Sequence, residues 1–327
     1  MVDRAPSIKA PIRAPVKTLS IVGAGRSGTT VLASILGEVE GIGSAGELRW
    51  LWEHGVVEQR PCACGQEPQL CPVWGGVIEQ VTTRCRETFG ECTAEQLIGW
   101  QRSITDRRHL RRLMRSAAGG ETDWPELVRV RTVMSEAIHA FSATTGSQVV
   151  VDTSKRPQDA AVLAGLPDVD LYVLQLVRDP RAVAYSWQRP KPYTVDGITR
   201  AMGTRRLPRS VQRWAANSLT ADWLRRQLPD TRWLRIRYED FCRTPRDSMR
   251  QILDFIGEPG EAPFEGDHRV VLRPSHIVAG NPSRFTTGGV DITVDEKWRT
   301  GMRSQDRLAV VATAFPLMLR YGYDLRG

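Results

Sequence analysis

The sequence predicts an α/β protein with three layers: a central parallel sheet flanked by helices, plus a helical insertion. Three observations carry this prediction. Short apolar runs at 17–22, 148–152, 170–177 and 231–236 are separated by long stretches of helical periodicity. Strands that alternate with helices are joined by right-handed crossovers, which makes the sheet parallel and covers both faces. Residues 54–146 hold several helical patterns and no convincing strand. They read as an insertion into one domain spanning 17–327, not as a second domain.

The elements follow in chain order. Residues 1–16 contain Pro6, Pro11 and Pro15 and no apolar signal-sequence core, so a disordered tail is expected. The first strand, 17–22, runs into "GAGRSGTT" (23–30), and "VLASILGEV" continues as a helix. Strand, glycine-rich turn and helix together present free backbone N–H groups and the positive end of a helix dipole, which suits an anion. Gly23 and Gly28 have the G-x-x-x-x-G spacing of a P-loop, so the fold is expected to be of the P-loop type. Where that loop has lysine, this chain has Thr29, and the cation inside the turn is Arg26. "GSAGELRWLWEH" (43–54) then supplies Glu47, Arg49, Trp50 and His54. Positions 47 and 54 share a face if that segment is helical.

Helices are predicted in the insertion at about 73–89, 94–117 and 124–145. Ahead of them lies "RPCACGQEPQLCPVW" (60–74), in which Cys62, Cys64 and Cys71 form C-x-C-x₆-C. Structural zinc sites need four ligands and usually show C-x₂₋₄-C pairs. Cys85, Cys92 or His54 are the available fourth donors, and nothing in the spacing selects one. The six cysteines are therefore expected to be thiols, with a disulfide or a metal as alternatives, and no metal site is assigned.

The strand "QVVVD" places Ser154 and Lys155 just past its end. After a helix at 156–165, the strand 170–177 leads into "LVRDPRAVAYSWQR" (176–189), where Asp179–Pro180 starts a helix. Arg178 stands at the strand end, and Ser186 lies eight residues later, about two turns into that helix. Residues 188–208 combine proline, glycine and basic residues as a mobile lid would. Trp50, Trp52, Trp187 and Tyr193 are candidate walls of an apolar or sugar-stacking pocket. A helix at 209–228 precedes the strand 231–236 and "RIRYEDF", which carries Tyr238. Past 258 the chain becomes irregular before a last helix at about 303–320. Long loops of that kind are often functional.

These stretches resemble one known family. "GRSGTT" after a strand is similar to the 5′-phosphosulfate loop of sulfotransferases that use 3′-phosphoadenosine 5′-phosphosulfate (PAPS). "LVRDPRAVAYSWQR" is similar to their 3′-phosphate signature, an arginine at a strand end with a serine eight residues on. "RYEDF" and "HIVAGNPSRF" followed by "DEKWR" extend the resemblance from about residue 18 to 300. It implies that Gly25, Arg26, Ser27, Gly28, Thr29, Thr30 and Ser154 hold the phosphosulfate. It also implies that Arg178 and Ser186 bind the 3′-phosphate, that Tyr238 lies near the adenine, and that Asn281 and Arg284 close over the nucleotide. "GELR" resembles the segment in which tyrosylprotein sulfotransferases carry a glutamate base. Glu47 is accordingly the expected base, with Arg26 and Lys155 as catalytic cations. Arg49, Trp50 and His54 fall on the acceptor side, and His54 is the alternative base.

The implied reaction moves a sulfuryl group from PAPS to a hydroxyl, or secondarily an amine, of a small-molecule, glycan or lipid acceptor. Sulfate carries less transition-state charge than phosphate, so no metal is required. Two other readings remain open. A P-loop kinase or NTPase would need lysine at 29 and a magnesium carboxylate, for which Asp152 is the nearest match. A non-catalytic sensor of PAPS or adenosine bisphosphate would not need Glu47 and Lys155.

Composition agrees without discriminating further. The net charge is +8, and only Lys9, Lys17, Lys155, Lys191 and Lys297 among the 45 basic residues are lysines. Arginine's planar fork suits phosphate and sulfate, although a GC-rich genome produces the same bias. No nucleic-acid motif accompanies the charge and no run is long enough to span a membrane. A cytoplasmic chain is expected, with a homodimer possible.

Overall fold

The computed structural model describes residues 13–119, 123–195 and 198–326. The strands in chain order are β1 (Val16–Val22), β2 (Ile42–Gly46), β3 (Val149–Lys155), β4 (Val169–Val177), β5 (Lys191–Val195), β6 (Ile198–Met202), β7 (Trp233–Arg237), β8 (Phe264–Glu265), β9 (Arg269–Leu272) and β10 (Gly288–Asp291). Five of them form the central sheet in the order β2-β3-β1-β4-β7. Every neighbouring pair in it is parallel.

The helices are α1 (Thr29–Leu36), α2 (Trp74–Phe89), α3 (Ala94–Ile104), α4 (Leu110–Ala117), α5 (Pro125–Thr145), α6 (Pro157–Leu163), α7 (Pro180–Gln188), α8 (Leu207–Arg225), α9 (Tyr238–Arg243), α10 (Pro245–Ile256), α11 (Lys297–Gly301) and α12 (Ser304–Arg320). The two-residue period of the strands sorts their side chains onto opposite faces. Leu19 and Ile21 of β1, Val149 and Val151 of β3, and Leu174 and Leu176 of β4 pack with α1 and α10. Val150, Leu171 and Val173 pack with α5, α6 and the insertion helices. The sheet is thus the middle of three layers, as expected. The insertion shares one apolar core with it. No helix among the described residues is long and apolar enough to cross a membrane.

Several elements differ from the sequence reading. β2 is absent from it because "IGSAG" has little intrinsic strand preference; pairing with β3 and a parallel bridge from Gly46 to Val278 impose the extended form. The expected helix 94–117 breaks into α3 and α4, because the Asp106 side chain accepts from the Arg108 amide and starts a new turn. The stretch 188–208 contains the hairpin β5–β6. Residues 238–256, unassigned from sequence, form α9 and α10. The proposed tail 1–16 lies mostly outside the described residues, but β1 already begins at Val16 and Arg13 pairs with Glu136 at 2.9 Å. Cys85 and Cys92 form a disulfide across the α2–α3 turn, where thiols were expected. Their Cα atoms are brought together by the end of α2 and the capping box that opens α3.

Candidate active site

A parallel sheet points the carboxyl ends of all its strands to one side, and ligands bind there. Each of the five central strands delivers a sequence-predicted residue at that side. β1 ends in the loop beginning at Gly23, β2 in Glu47, and β3 in Lys155 itself. β4 ends before Arg178 and β7 before Tyr238. The loop is fastened to its neighbour by a bond from the Gly23 amide to the Lys155 carbonyl, 3.0 Å.

Inside the loop, Gly28 caps α1 in the left-handed region at φ 85°, and a Cβ there would come within 2.7 Å of the Tyr238 ring. Gly28→Ala is therefore expected to lower stability by about 1–3 kcal/mol. A thermal melt checks this, and part of the loss should be recovered in a Tyr238→Ala background. An unchanged melting temperature would refute it.

Arg26 also has positive φ, 75°, as do Lys155 at 69° and Ala279 at 55°. Side chains with a Cβ adopt this region at a cost, and such residues cluster at functional sites. Arg26 is only 9% exposed. Its guanidinium lies 4.7 Å from the Trp187 ring centroid. Burial pulls its pKa below the usual arginine value. Among the described residues its Nε and Nη2 find no hydrogen-bond partner, and neither does the buried Ser27 hydroxyl.

Arg178 closes the other side of the loop. Its Nη1 donates to the Arg26 carbonyl at 2.8 Å, and Nη2 donates to Asp295 at 3.0 Å. It lies over the Tyr238 ring at 4.3 Å, and its buried Nε has no partner among the described residues. α7 places Trp187 so that its indole N–H donates to the Gly25 carbonyl, 3.2 Å. Ser186, one residue earlier on α7, is half-buried. Arg205, not singled out by the sequence, also lies over Trp187, at 3.5 Å. Burial and the nearby charges of Arg213, Arg209 and Arg26 push its pKa down to about 10. Its signal was the basic "TRRL" run, which gives no hint of which arginine folds inward.

Across the sheet, Lys155 Nζ donates to Glu47 Oε1 in a largely buried ion pair. The Glu47 amide donates to the Val278 carbonyl at 3.0 Å, and the Val278 amide returns a bond to Ala45 at 3.1 Å. Gly280 brings the chain so near that a Cβ would sit 3.0 Å from Glu47 Oε1. The segment 278–280 is thus one wall of the Glu47 site, reached from a part of the chain far away in sequence. Ser154 turns inward: its hydroxyl donates to Asp152 at 2.6 Å and accepts from the Arg49 amide at 3.1 Å. Asp152 is fully buried and receives the Leu48 amide as well, at 3.2 Å. Burial pushes its carboxyl up to about 7, against the lowering effect of those hydrogen bonds. It serves the backbone around Glu47 and Ser154.

The remaining predicted residues divide. Arg49 is buried toward the insertion, with Gln101 at 3.1 Å and Asp159 at 3.8 Å. Residues 51–57 form a π-helix, a rare form often found at functional sites. It stacks His54 on Trp50, ring centroids 4.5 Å apart. Burial and Arg60 lower the His54 pKa, with the Glu47 charge acting in the opposite direction. Asn281 caps the turn Pro282–Phe285, accepting from the Ser283 amide. Arg284 donates to the Gly280 and Pro61 carbonyls. Trp52 is a core residue, and the Tyr193 side chain lies outside the described residues.

The profile of the sulfotransferase family matches residues 19–262. Carbohydrate sulfotransferase 1 of Mus musculus is 26% identical over 223 residues, covering 61% of this chain and 51% of that protein. Carbohydrate sulfotransferase 3 of Homo sapiens is 29% identical over 178 residues, covering 50% of this chain and 36% of that protein. The chain spans about half the length, or less, of these curated relatives. Among solved structures, the sulfotransferase domain from the curacin biosynthetic pathway matches with a TM-score of 0.47 at 18% identity, over 95% of this chain and 99% of that one. Sulfotransferase STF9 from Mycobacterium avium matches with 0.45 at 15% identity, over 97% and 79%.

Proposed function

Since this chain belongs to the sulfotransferase family, we propose that it transfers a sulfuryl group from PAPS to a hydroxyl of an acceptor molecule. The single observation that carries the reading is the set of buried donors at the loop that have no partner among the described residues: Arg26 Nε and Nη2, Ser27 Oγ and Arg178 Nε. Buried donors are costly unless an acceptor meets them. Several of them converging at a helix N-terminus fit the oxygens of an anion.

When bound, the donor supplies the sulfuryl group. The residues then divide the work. The loop amides of 26–30 and the hydroxyls of Thr29 and Thr30 hold the phosphosulfate, and Arg26 and Lys155 neutralise charge on the leaving phosphate oxygens. Arg178 and Ser186 hold the 3′-phosphate, Tyr238 packs near the adenine, and Asn281 and Arg284 belong to the segment that closes the site. Glu47 accepts the acceptor's proton. In the free chain its carboxylate is paired with Lys155, so a phosphosulfate that draws Lys155 away releases Glu47 to act as base. Binding of the donor and activation of the base are coupled in this way. Arg49, Trp50 and His54 border the acceptor side. The carbohydrate sulfotransferases among the relatives make a sugar hydroxyl the first acceptor to try, followed by small-molecule and lipid hydroxyls.

The test is a labelled-PAPS transfer screen against hydroxylated acceptors, paired with thermal shifts in adenosine 3′,5′-bisphosphate and in ATP–Mg. Transfer together with stabilisation by the bisphosphate is expected. Stabilisation by ATP–Mg alone would sink the reading in favour of a kinase or NTPase. Bisphosphate binding with neither transfer nor PAPS hydrolysis would favour the sensor.

A further inference from the structure

The cysteine loop acquires a fourth donor only in three dimensions. Cys62, Cys64 and Cys71 converge on His276, and their donor atoms all lie within 4.8 Å of one another. Cys71 Sγ is 3.7 Å from Cys64 Sγ and 3.8 Å from Cys62 Sγ, and 3.2 Å from His276 Nδ1. A tetrahedral zinc ion with Zn–S near 2.3 Å and Zn–N near 2.0 Å sets its ligands about 3.8 Å apart for S···S and about 3.5 Å for S···N. The two sulfur separations match, and both are far longer than the roughly 2 Å of a disulfide. The chain does join Cys85 to Cys92, so the convergence of the other three is a different arrangement.

We propose that Cys62, Cys64, Cys71 and His276 form a structural zinc site. The surroundings are built for it. The backbone around the imidazole is fastened. The Trp74 indole donates to the His276 carbonyl at 2.5 Å, and the Ala63 amide donates to the Ile277 carbonyl at 3.0 Å. On binding, each thiol releases its proton to solvent. Three thiolates and one neutral imidazole then complete four-coordination and leave no open position for chemistry, which makes the role structural.

The site has a consequence for Glu47. His276 is two residues from Val278, whose backbone pairs with Ala45 and Glu47. A metal at the cysteine loop would therefore pin the wall against which Glu47 is set. The metal assignment itself is independent of the sulfotransferase reading.

The experiment uses the full chain purified without chelator. Elemental analysis is expected to give about one zinc per chain, and cobalt substituted for zinc should show the thiolate charge-transfer and intense visible bands of a tetrahedral site. Cys71→Ser and His276→Ala should lose the metal. His276→Cys should keep it, with the cobalt spectrum shifted toward an all-sulfur site, which guards against a His276→Ala chain that fails to fold. Stripping the metal should speed hydrogen exchange at the Val278 and Glu47 amides. The proposal is overturned if the purified chain is metal-free and takes up neither zinc nor cobalt when titrated with the metal alone. It is equally overturned if two of the three cysteines are disulfide-bonded, or if Cys71→Ser retains its zinc.

Discussion

Replacing Glu47 with alanine is expected to lower turnover by about 10²–10⁴-fold while leaving nucleotide binding in place, the range a positioned general base contributes. That corresponds to roughly 3–5 kcal/mol of barrier. The expectation rests on placement: Glu47 is 7% exposed, stands at the carboxyl end of β2, and is held there by its own amide through Val278. Among the described residues, its carboxylate pairs with Lys155. Alanine leaves that lysine unpaired in a largely buried place, so some loss of stability accompanies the change. Glu47→Gln separates the two effects, because the amide oxygen still accepts from Lys155 but takes no proton. Both variants should lose turnover, and glutamine should keep the melting temperature closer to that of the parent. A folded Glu47→Ala chain with near-normal turnover would remove Glu47 from the role and shift attention to His54.

Arg26→Ala is the second large effect. Removing a preorganised donor from a developing oxyanion typically costs about 10²–10³-fold in turnover, and that loss is expected here. The stability readout should move the other way. Arg26 is a buried cation whose Nε and Nη2 have no partners among the described residues. Burial already lowers its pKa, so its removal in the ligand-free chain should leave the melting temperature equal or higher. What disappears is the extra stabilisation by adenosine 3′,5′-bisphosphate, measured in the same melt. Arg26→Lys should not restore turnover, because an ammonium neither presents the planar fork nor stacks on Trp187 in the same way. A lower melting temperature without ligand, combined with unchanged turnover, would make Arg26 a structural residue.

Much of the fold was legible because its signals are local. Three of the four strands read from sequence, β1, β3 and β4, are apolar runs largely buried on both faces, and the crossover helices carry their own start signals, such as Asp179 before Pro180. β2 was not legible, since two of its five residues are glycine and its extended form comes from pairing. The break between α3 and α4 turned on one aspartate side chain. In the site, the loop and the residues at strand ends were predictable, because a parallel sheet gathers strand ends whatever lies between them. The inward turn of Ser154 and the burial of Arg49 toward Gln101 were not, because they depend on which neighbour each side chain meets. Arg205 escaped for the same reason.

The sequence by itself determined the layered α/β architecture, the glycine-rich loop with arginine in place of lysine, and the family resemblance. Each is written in short contiguous stretches governed by periodicity, turn chemistry and backbone N–H exposure. Tertiary structure alone decided that Lys155 pairs with Glu47, that Val278 and Gly280 wall the carboxylate, and that His276 joins Cys71 from 205 positions away. Spacing along a chain constrains only near neighbours. Contacts across hundreds of residues are set by how the sheet and its insertion pack, and they exist only once the core has closed.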